Sequence, residues 1–83
     1  MLKLKIVSPE KVLYEGEATS VKVPGVLGAM EILQNHAPLI SALTEGKVAY
    51  TNAEGTVEEI HVAGGFVEVL HNDVSLCIER ESA

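Results

Sequence analysis

The sequence contains little of what several large classes of protein depend on. It has one cysteine, one phenylalanine, no tryptophan and six basic residues among 83. A single cysteine excludes an internal disulfide, which fits a reducing compartment. No stretch approaches the ~20 apolar residues needed to cross a bilayer. The alternating start, MLKLKI at residues 1–6, also lacks the continuous apolar core of a signal peptide. We therefore expect no direct membrane insertion.

Basic charge is scarce relative to acidic charge. Twelve acidic residues against six basic ones give a formal net charge of −6 and a pI of about 4.9. Nucleic acids and anionic lipids both attract cationic surfaces, so neither is an expected partner. A basic or neutral surface of another protein is the partner that this charge favours. The length gives one small domain, residues 1–83, whose modest core would gain stability from a permanent partner.

Residue patterns for catalysis or metal binding are also missing. The three histidines, His36, His61 and His71, lie on separate segments, and no second cysteine accompanies Cys77. No Gly-x-Ser-x-Gly sequence is present, so no serine resembles an activated nucleophile. A lipoyl or biotinyl carrier domain would need a lysine after Met30, where this sequence has Glu31. We predict no catalytic residue, no cofactor and no metal.

What the sequence does contain is a period of two. Leu2, Leu4 and Ile6 alternate with lysines, the pattern of a half-buried strand. Similar runs recur between turn signals every 8–12 residues, which predicts an all-β sandwich or barrel. The predicted strands are residues 2–6, 12–14, 21–23, 30–33, 39–43, 47–51, 56–62, 66–70 and 74–78. Reversals are predicted at residues 8–10, after Gly16, and at 24–25, 35–38, 52–55, 64–65 and 71–73. Residues 79–83 are predicted to be a polar tail that frays.

The strand at residues 66–70 is apolar on both faces. This pattern is typical of a central strand, and it equally fits a sheet whose outer face is covered by a partner. Both interpretations stay open, and the second includes a free-standing adaptor domain that uses this face on some unrelated protein.

An ordered set of motifs covers nearly the whole chain. It comprises IVSPE at 6–10, PGxxG at 24–28, ILxNHAPL at 32–39, LxxG at 43–46 and GGFVEV at 64–69. In this order the set resembles the epsilon subunit of F-type ATP synthase. The resemblance implies a sandwich of about ten short strands. It also implies a noncatalytic rotor subunit of the central stalk, which joins the gamma subunit to the membrane c ring and couples proton transport to ATP synthesis.

The resemblance also carries expectations about location and regulation. The subunit would be a peripheral part of the ATP synthase complex on the cytoplasmic face of the bacterial inner membrane. The sequence stops at Ala83, where the helical hairpin of that family would begin. Because the hairpin is the part that inhibits ATP hydrolysis and in some members binds ATP, we expect neither activity here.

Matching positions suggest two sets of contact residues. The set expected to face the c ring is Pro24, Gly25, Gly28, Glu31, Asn35 and His36. His36 could equally be a turn histidine bonded to its own backbone, and Glu31 could be a solvated charge. The set expected to face the gamma subunit or to lie in the core is Phe66, Val67 and Val69. The glycines at 25, 28, 64 and 65 are expected in turns that need positive φ.

Overall fold

The structure is a computed structural model that describes residues 1–80. Those residues form strands and turns and contain no helix, so the all-β prediction is confirmed. The strands are β1 (Leu2–Val7), β2 (Val12–Gly25), β3 (Gly28–Ile32), β4 (Leu39–Leu43), β5 (Gly46–Asn52), β6 (Val57–Leu70) and β7 (Asp73–Arg80). Among the described residues there is accordingly no helix with the length and hydropathy to span a membrane.

The seven strands are hydrogen-bonded into one sheet that folds into two layers. Strands β2 and β6 each contribute to both layers. The first layer contains β3, residues 18–25 of β2, β5 and residues 57–62 of β6. The second layer contains residues 12–17 of β2, β1, β7, residues 64–70 of β6 and β4. Strands β1 and β7 are parallel, whereas all other pairs are antiparallel.

The predicted count of roughly ten strands is wrong, since the structure has seven. Most of the difference comes from two places where glycines were predicted to reverse the chain and do not. Gly16 lies inside β2, where the chain does not reverse. A Cβ there would lie 2.9 Å from the Tyr14 hydroxyl, so the glycine leaves room for the Tyr14 ring to fold back along its own strand. Gly64 and Gly65 lie inside β6 beside a register shift, which marks a bulge rather than a turn. Two pairs of predicted short strands are therefore two long strands.

The core lies between the layers and follows the predicted alternation. Leu2, Leu4 and Ile6 of β1 are at most 2% exposed, as the period of two requires. Opposite them, Tyr50 of β5 is buried, and its ring centroid lies 4.5 Å from that of Tyr14. Burial raises the pKa of the Tyr50 phenol, with smaller contributions in the same direction from Glu58 and Tyr14.

The expectation of a frayed tail from residue 79 is wrong for its first two residues. Glu79 pairs with Gly64, and Arg80 pairs with Val62, so both belong to β7. The remaining three residues of the predicted tail, 81–83, lie outside the described residues. The hairpin turns predicted at 52–55 and 71–73 are confirmed, since residues 53–54 and 71–72 form turns between antiparallel strands.

Candidate docking surfaces

One row of apolar side chains crosses the outer face of the second layer. Its members are consecutive cross-strand neighbours, because each pairs with the next across the ladder. We call this set the apolar row: Ala42, Phe66, Cys77, Val7 and Val12. Phe66 and Val12 are each 50% exposed. An isolated exposed apolar residue is ordinary, but a continuous row across five strand segments is typical of a surface that a partner covers.

Two further exposed apolar side chains lie toward the other ends of β4 and β6, beyond the exposed Glu68 that pairs with Ile40. Ile40 on β4 is 74% exposed and Leu70 on β6 is 48% exposed, and both point outward like Phe66. Lys5 and Lys3 lie on the same face, paired across the ladder with Glu15 and Glu17 respectively. We call the apolar row together with Ile40 and Leu70 the second-layer face.

The outer face of the first layer is different, since its central positions are charged. Glu31 of β3 pairs with Lys22 of β2, and both are exposed. On the neighbouring strands the Lys47 ammonium lies 3.4 Å from a Glu59 carboxylate oxygen. Glu31 therefore has a lysine opposite it within its own chain and lies on an exposed polar surface, and its expected contact with the c ring stays a prediction.

The three residues predicted to face the gamma subunit or to lie in the core differ in exposure. Val67 is fully buried and Val69 is 1% exposed, so both belong to the core. Phe66 directly precedes Val67 in the sequence, and its side chain points to the opposite side of β6. Of this set, Phe66 alone is available to a partner.

Three of the residues predicted to face the c ring form the β2–β3 hairpin. Pro24 and Gly25 end β2, and Gly28 begins β3 with a φ of 137°. The hairpin is fixed at its base, because Thr44 N–H donates to the Pro24 carbonyl (2.8 Å). Its tip consists of two apolar residues, Val26 at 54% exposure and Leu27 at 100%. The tip of the hairpin thus exposes the whole side chain of Leu27.

Asn35 and His36 lie at the other end of the molecule from this hairpin. The intervening strand β3 has five residues and so spans about 13 Å. Asn35 contacts Asn72, which follows β6, and His36 leads toward β4 and the exposed Ile40. The six residues predicted to face the c ring therefore do not form one patch.

His36 makes the local contacts of a turn residue. Its N–H donates to the Leu33 carbonyl at 3.1 Å, and its Nδ1 lies 2.8 Å from the carbonyl oxygen of Ala37. In residues 1–80 no three metal-binding side chains approach closely enough to hold an ion. Cys77, half-buried beside Phe66, packs as a small apolar side chain in the row.

Sequence reasoning missed several exposed residues that the structure brings to notice. Leu27 lay within the loop expected to face the c ring but was not named as a contact, and Ile40 was part of a strand with no assigned contact, although they are the two most exposed of the large apolar residues. Asn72 was only part of a turn. An apolar residue at a hairpin tip was a usable signal for Leu27, because hairpin turns favour small polar residues there.

Residues 1–81 match the sequence profile of the family described as ATP synthase, Delta/Epsilon chain, beta-sandwich domain. The epsilon chain of Chlorobium limicola is 42% identical over 80 residues, which cover 96% of this chain and 91% of that protein. The chain belongs to the ATP synthase epsilon family. The epsilon chain of Leptospira borgpetersenii is 45% identical over 79 residues, covering 95% of this chain and 61% of that protein. The resemblance predicted from the motifs is confirmed.

Two solved structures share the fold of this epsilon-family chain. A chain in the mitochondrial ATP synthase of Euglena gracilis superposes with a TM-score of 0.87 at 16% identity, over 93% of this chain and 49% of that one. A chain in the central stalk and c-ring structure of the Tetrahymena thermophila enzyme gives 0.77 at 13% identity, over 94% and 63%. Together with the family description, these superpositions confirm the β-sandwich.

Proposed function

We propose that this epsilon-family chain is a noncatalytic rotor subunit of a proton-translocating F-type ATP synthase. In this role it joins the gamma subunit of the central stalk to the c ring and couples proton transport to ATP synthesis. It works as a peripheral component on the cytoplasmic face of the bacterial cell membrane. The observation that carries the proposal is the presence of two exposed apolar features, the second-layer face and the β2–β3 hairpin tip beside its Ala42 end, on one small acidic domain.

The second-layer face is the surface proposed to contact the gamma subunit. It is broad, and Phe66 and Ile40 supply its largest exposed side chains. Burying apolar side chains of this size against a partner stabilises the complex by about 25 cal/mol for each Å² removed from water. The lysines and carboxylates beside the row provide a polar rim, which is the usual arrangement of an interface.

The β2–β3 hairpin is the surface proposed to contact the c ring. Leu27 is fully exposed at its tip, and Gly25 and Gly28 bring the two strands close together below it. A protruding side chain on a rigid hairpin suits insertion between neighbouring loops of a ring. Asn35 and His36 lie at the opposite end of β3, so we assign them to the edge of the second-layer face and not to the ring contact.

The experiment that tests the proposal measures binding of the chain to purified gamma subunit and purified c ring separately. Phe66→Ser should weaken binding to the gamma subunit by about tenfold or more, as truncation of a central aromatic usually does. Leu27→Ser should weaken binding to the c ring and leave binding to the gamma subunit unchanged. Isothermal titration calorimetry for gamma and co-sedimentation with detergent-solubilised rings supply the readouts.

Val57→Ser is the matched control for both variants. Val57 is 59% exposed, similar to Phe66, but it lies on the polar outer face of the first layer. It should bind both partners as the unaltered chain does. Failure of the unaltered chain to bind either partner would reject the rotor role, and equal losses in all three variants would reject the assignment of surfaces. The expectation about inhibition and ATP binding concerns sequence beyond the described residues and stays a prediction.

A further inference from the structure

Two asparagines 37 residues apart are joined by two hydrogen bonds, one from a backbone N–H to a side-chain oxygen and one between the side-chain amides. The Asn35 N–H donates to Oδ1 of Asn72 at 2.6 Å, and Nδ2 of Asn72 donates to Oδ1 of Asn35 at 3.3 Å. The first bond fixes the backbone of the connection between β3 and β4. The second holds the two amide groups in one orientation. We call this reciprocal pair the asparagine clasp.

The clasp is built on unusual backbone conformations. Asn35, His71 and Asn72 have φ values of 68°, 51° and 65°, and they are the non-glycine residues with positive φ among residues 1–80. Asparagine tolerates this left-handed region better than most residues, but a residue held there usually costs of order 1 kcal/mol or more. All three lie at the same end of the molecule, so the strain is concentrated where the two connections meet.

Asn72 is itself anchored to the sheet. Its carbonyl accepts a hydrogen bond from the Lys3 N–H at 2.8 Å, at the start of β1. The side chain of Asn72 therefore links β1 and β7 to the β3–β4 connection, which is also tethered at Gln34 by the Met1 ammonium, at 3.0 Å from Oε1. His36 follows directly, and its N–H donates back to Leu33 at 3.1 Å, which closes the turn.

The clasped segment borders the second-layer face. A cleft of about 320 Å³ is lined by Asn35, His36, Pro38, His71 and Asn72. An adjoining cleft of about 360 Å³ is lined by Pro38, Leu39, Ile40, Glu68, Val69 and Leu70. Pro38 belongs to both, so the segment that Asn72 holds runs without interruption into the exposed Ile40 and Leu70.

We propose that Asn72 is a positioning residue for docking: through the clasp it holds the segment from Asn35 to Pro38 in place beside Ile40, so that this edge of the second-layer face is ordered before the gamma subunit binds. The proposal rests on the proposed function, because it deepens the role of the same surface. An edge ordered in advance spares the complex the entropy cost of immobilising it on binding. Loss of the clasp should therefore weaken gamma binding without removing a contact to the gamma subunit.

The test uses Asn72→Gly in the full chain. Glycine adopts positive φ without strain, so this variant keeps the turn and removes only the side chain of the clasp. Two measurements are made: hydrogen exchange of the Asn35 amide by NMR, and the dissociation constant for purified gamma subunit. We expect exchange at Asn35 to accelerate about tenfold, the size of effect that losing one or two hydrogen bonds produces. We expect gamma binding to weaken about fivefold and c-ring binding to stay unchanged.

Two further variants separate positioning from general destabilisation. Asn72→Asp keeps the oxygen that accepts from the Asn35 N–H, so it should restore slow exchange at Asn35 and most of the gamma affinity. Asn52→Ala is the matched control, since the Asn52 side chain accepts from the N–H groups of Glu54 (3.0 Å) and Thr56 (2.9 Å) in a different turn. It should leave both readouts as they are in the unaltered chain.

The possible results test the clasp, the positioning role and the proposed function separately. Unchanged exchange at Asn35 in Asn72→Gly would overturn the clasp. Faster exchange with unchanged gamma affinity, or an equal loss of c-ring binding, would overturn the positioning role. An unaltered chain that binds no gamma subunit would reject the proposed function, and with it the docking role of Asn72, while the exchange data would still decide whether the clasp holds the segment.

Discussion

Gly65 lies directly against the backbone carbonyl of Cys77 on the neighbouring strand, with no space for a side chain between them. Its φ is 144°, and a Cβ would also come within 2.9 Å of the Ile78 Cα. Both obstacles are backbone atoms of a central strand, which move only if the ladder between β6 and β7 moves. The close approach of β6 to β7 beside the bulge thus depends on glycine at this position.

Gly65→Ala should destabilise the domain by about 3 kcal/mol, because it adds a forbidden φ to an overlap with backbone. Urea unfolding followed by far-ultraviolet circular dichroism measures the loss. Gly64→Ala is the control: a Cβ there lies 3.6 Å from the Leu43 carbonyl oxygen, an ordinary contact. It should change the free energy of unfolding by less than about 1 kcal/mol. Similar losses in the two variants would contradict the interpretation.

Substitutions at two neighbouring residues of β6 should lower the free energy of unfolding by different amounts. Val67 is fully buried, whereas Phe66 is 50% exposed. Val67→Ala should lower the free energy of unfolding by about 2 kcal/mol, since it leaves a cavity in the core. Phe66→Ala should cost less than about 1 kcal/mol. Denaturant unfolding of the isolated chain checks both, and a larger loss for Phe66→Ala would place Phe66 in the core.

Alkaline pH should destabilise the chain partly through Tyr50. Burial raises the pKa of its phenol in the folded state above the ordinary value of 10.0, and Glu58 adds to the rise. Its contribution to stability is therefore complete below about pH 10 and is lost as the pH rises through the folded-state pKa. Tyr50→Phe should show a shallower loss of unfolding free energy above about pH 10 than the unaltered chain. Parallel curves would exclude this contribution.

The ion pair between Lys47 and Glu59 should contribute little. Its side chains are 48% and 52% exposed, so water screens the 3.4 Å contact. A double-mutant cycle with Lys47→Ala and Glu59→Ala should give a coupling free energy below about 1 kcal/mol. Added salt should reduce that coupling further. A coupling that survives molar salt would indicate that the pair is less solvated than its exposure suggests.

Local patterns in the sequence predicted the strands well because burial on one face imposes a period of two. The alternation around Leu4 and the hairpin at 52–55 depend on neighbours a few residues away, and both are confirmed. Gly16 and Gly65 were misread because a glycine that admits a neighbouring ring or carbonyl looks the same in sequence as one that permits a turn. That distinction depends on atoms of other residues that no local window contains.

The candidate surfaces were harder to predict than the fold. The motifs identified the family, and they placed Phe66 in the set expected to face the gamma subunit or to lie in the core. They could not separate Phe66 from Val67, since residues 66–70 carry apolar side chains on both faces of the strand. They also could not show that Gly28 and His36 lie at opposite ends of β3, or that Asn35 meets Asn72, because contacts between distant segments follow from the sheet topology.

Because β1 and β7 are parallel, the N-terminus of β1 and the C-terminus of β7 lie at different ends of the domain. Lys3 pairs with Asp73 near the asparagine clasp, and Val7 pairs with Cys77 within the apolar row, so Met1 and Arg80 lie toward opposite ends of the same two strands. A fluorescent dye on each of these residues would sense a different end of the domain. Within an assembled rotor, contact with a neighbouring subunit would quench the dye at the end that it covers. Comparing the two dyes would therefore show the direction in which this domain points along the axis of rotation.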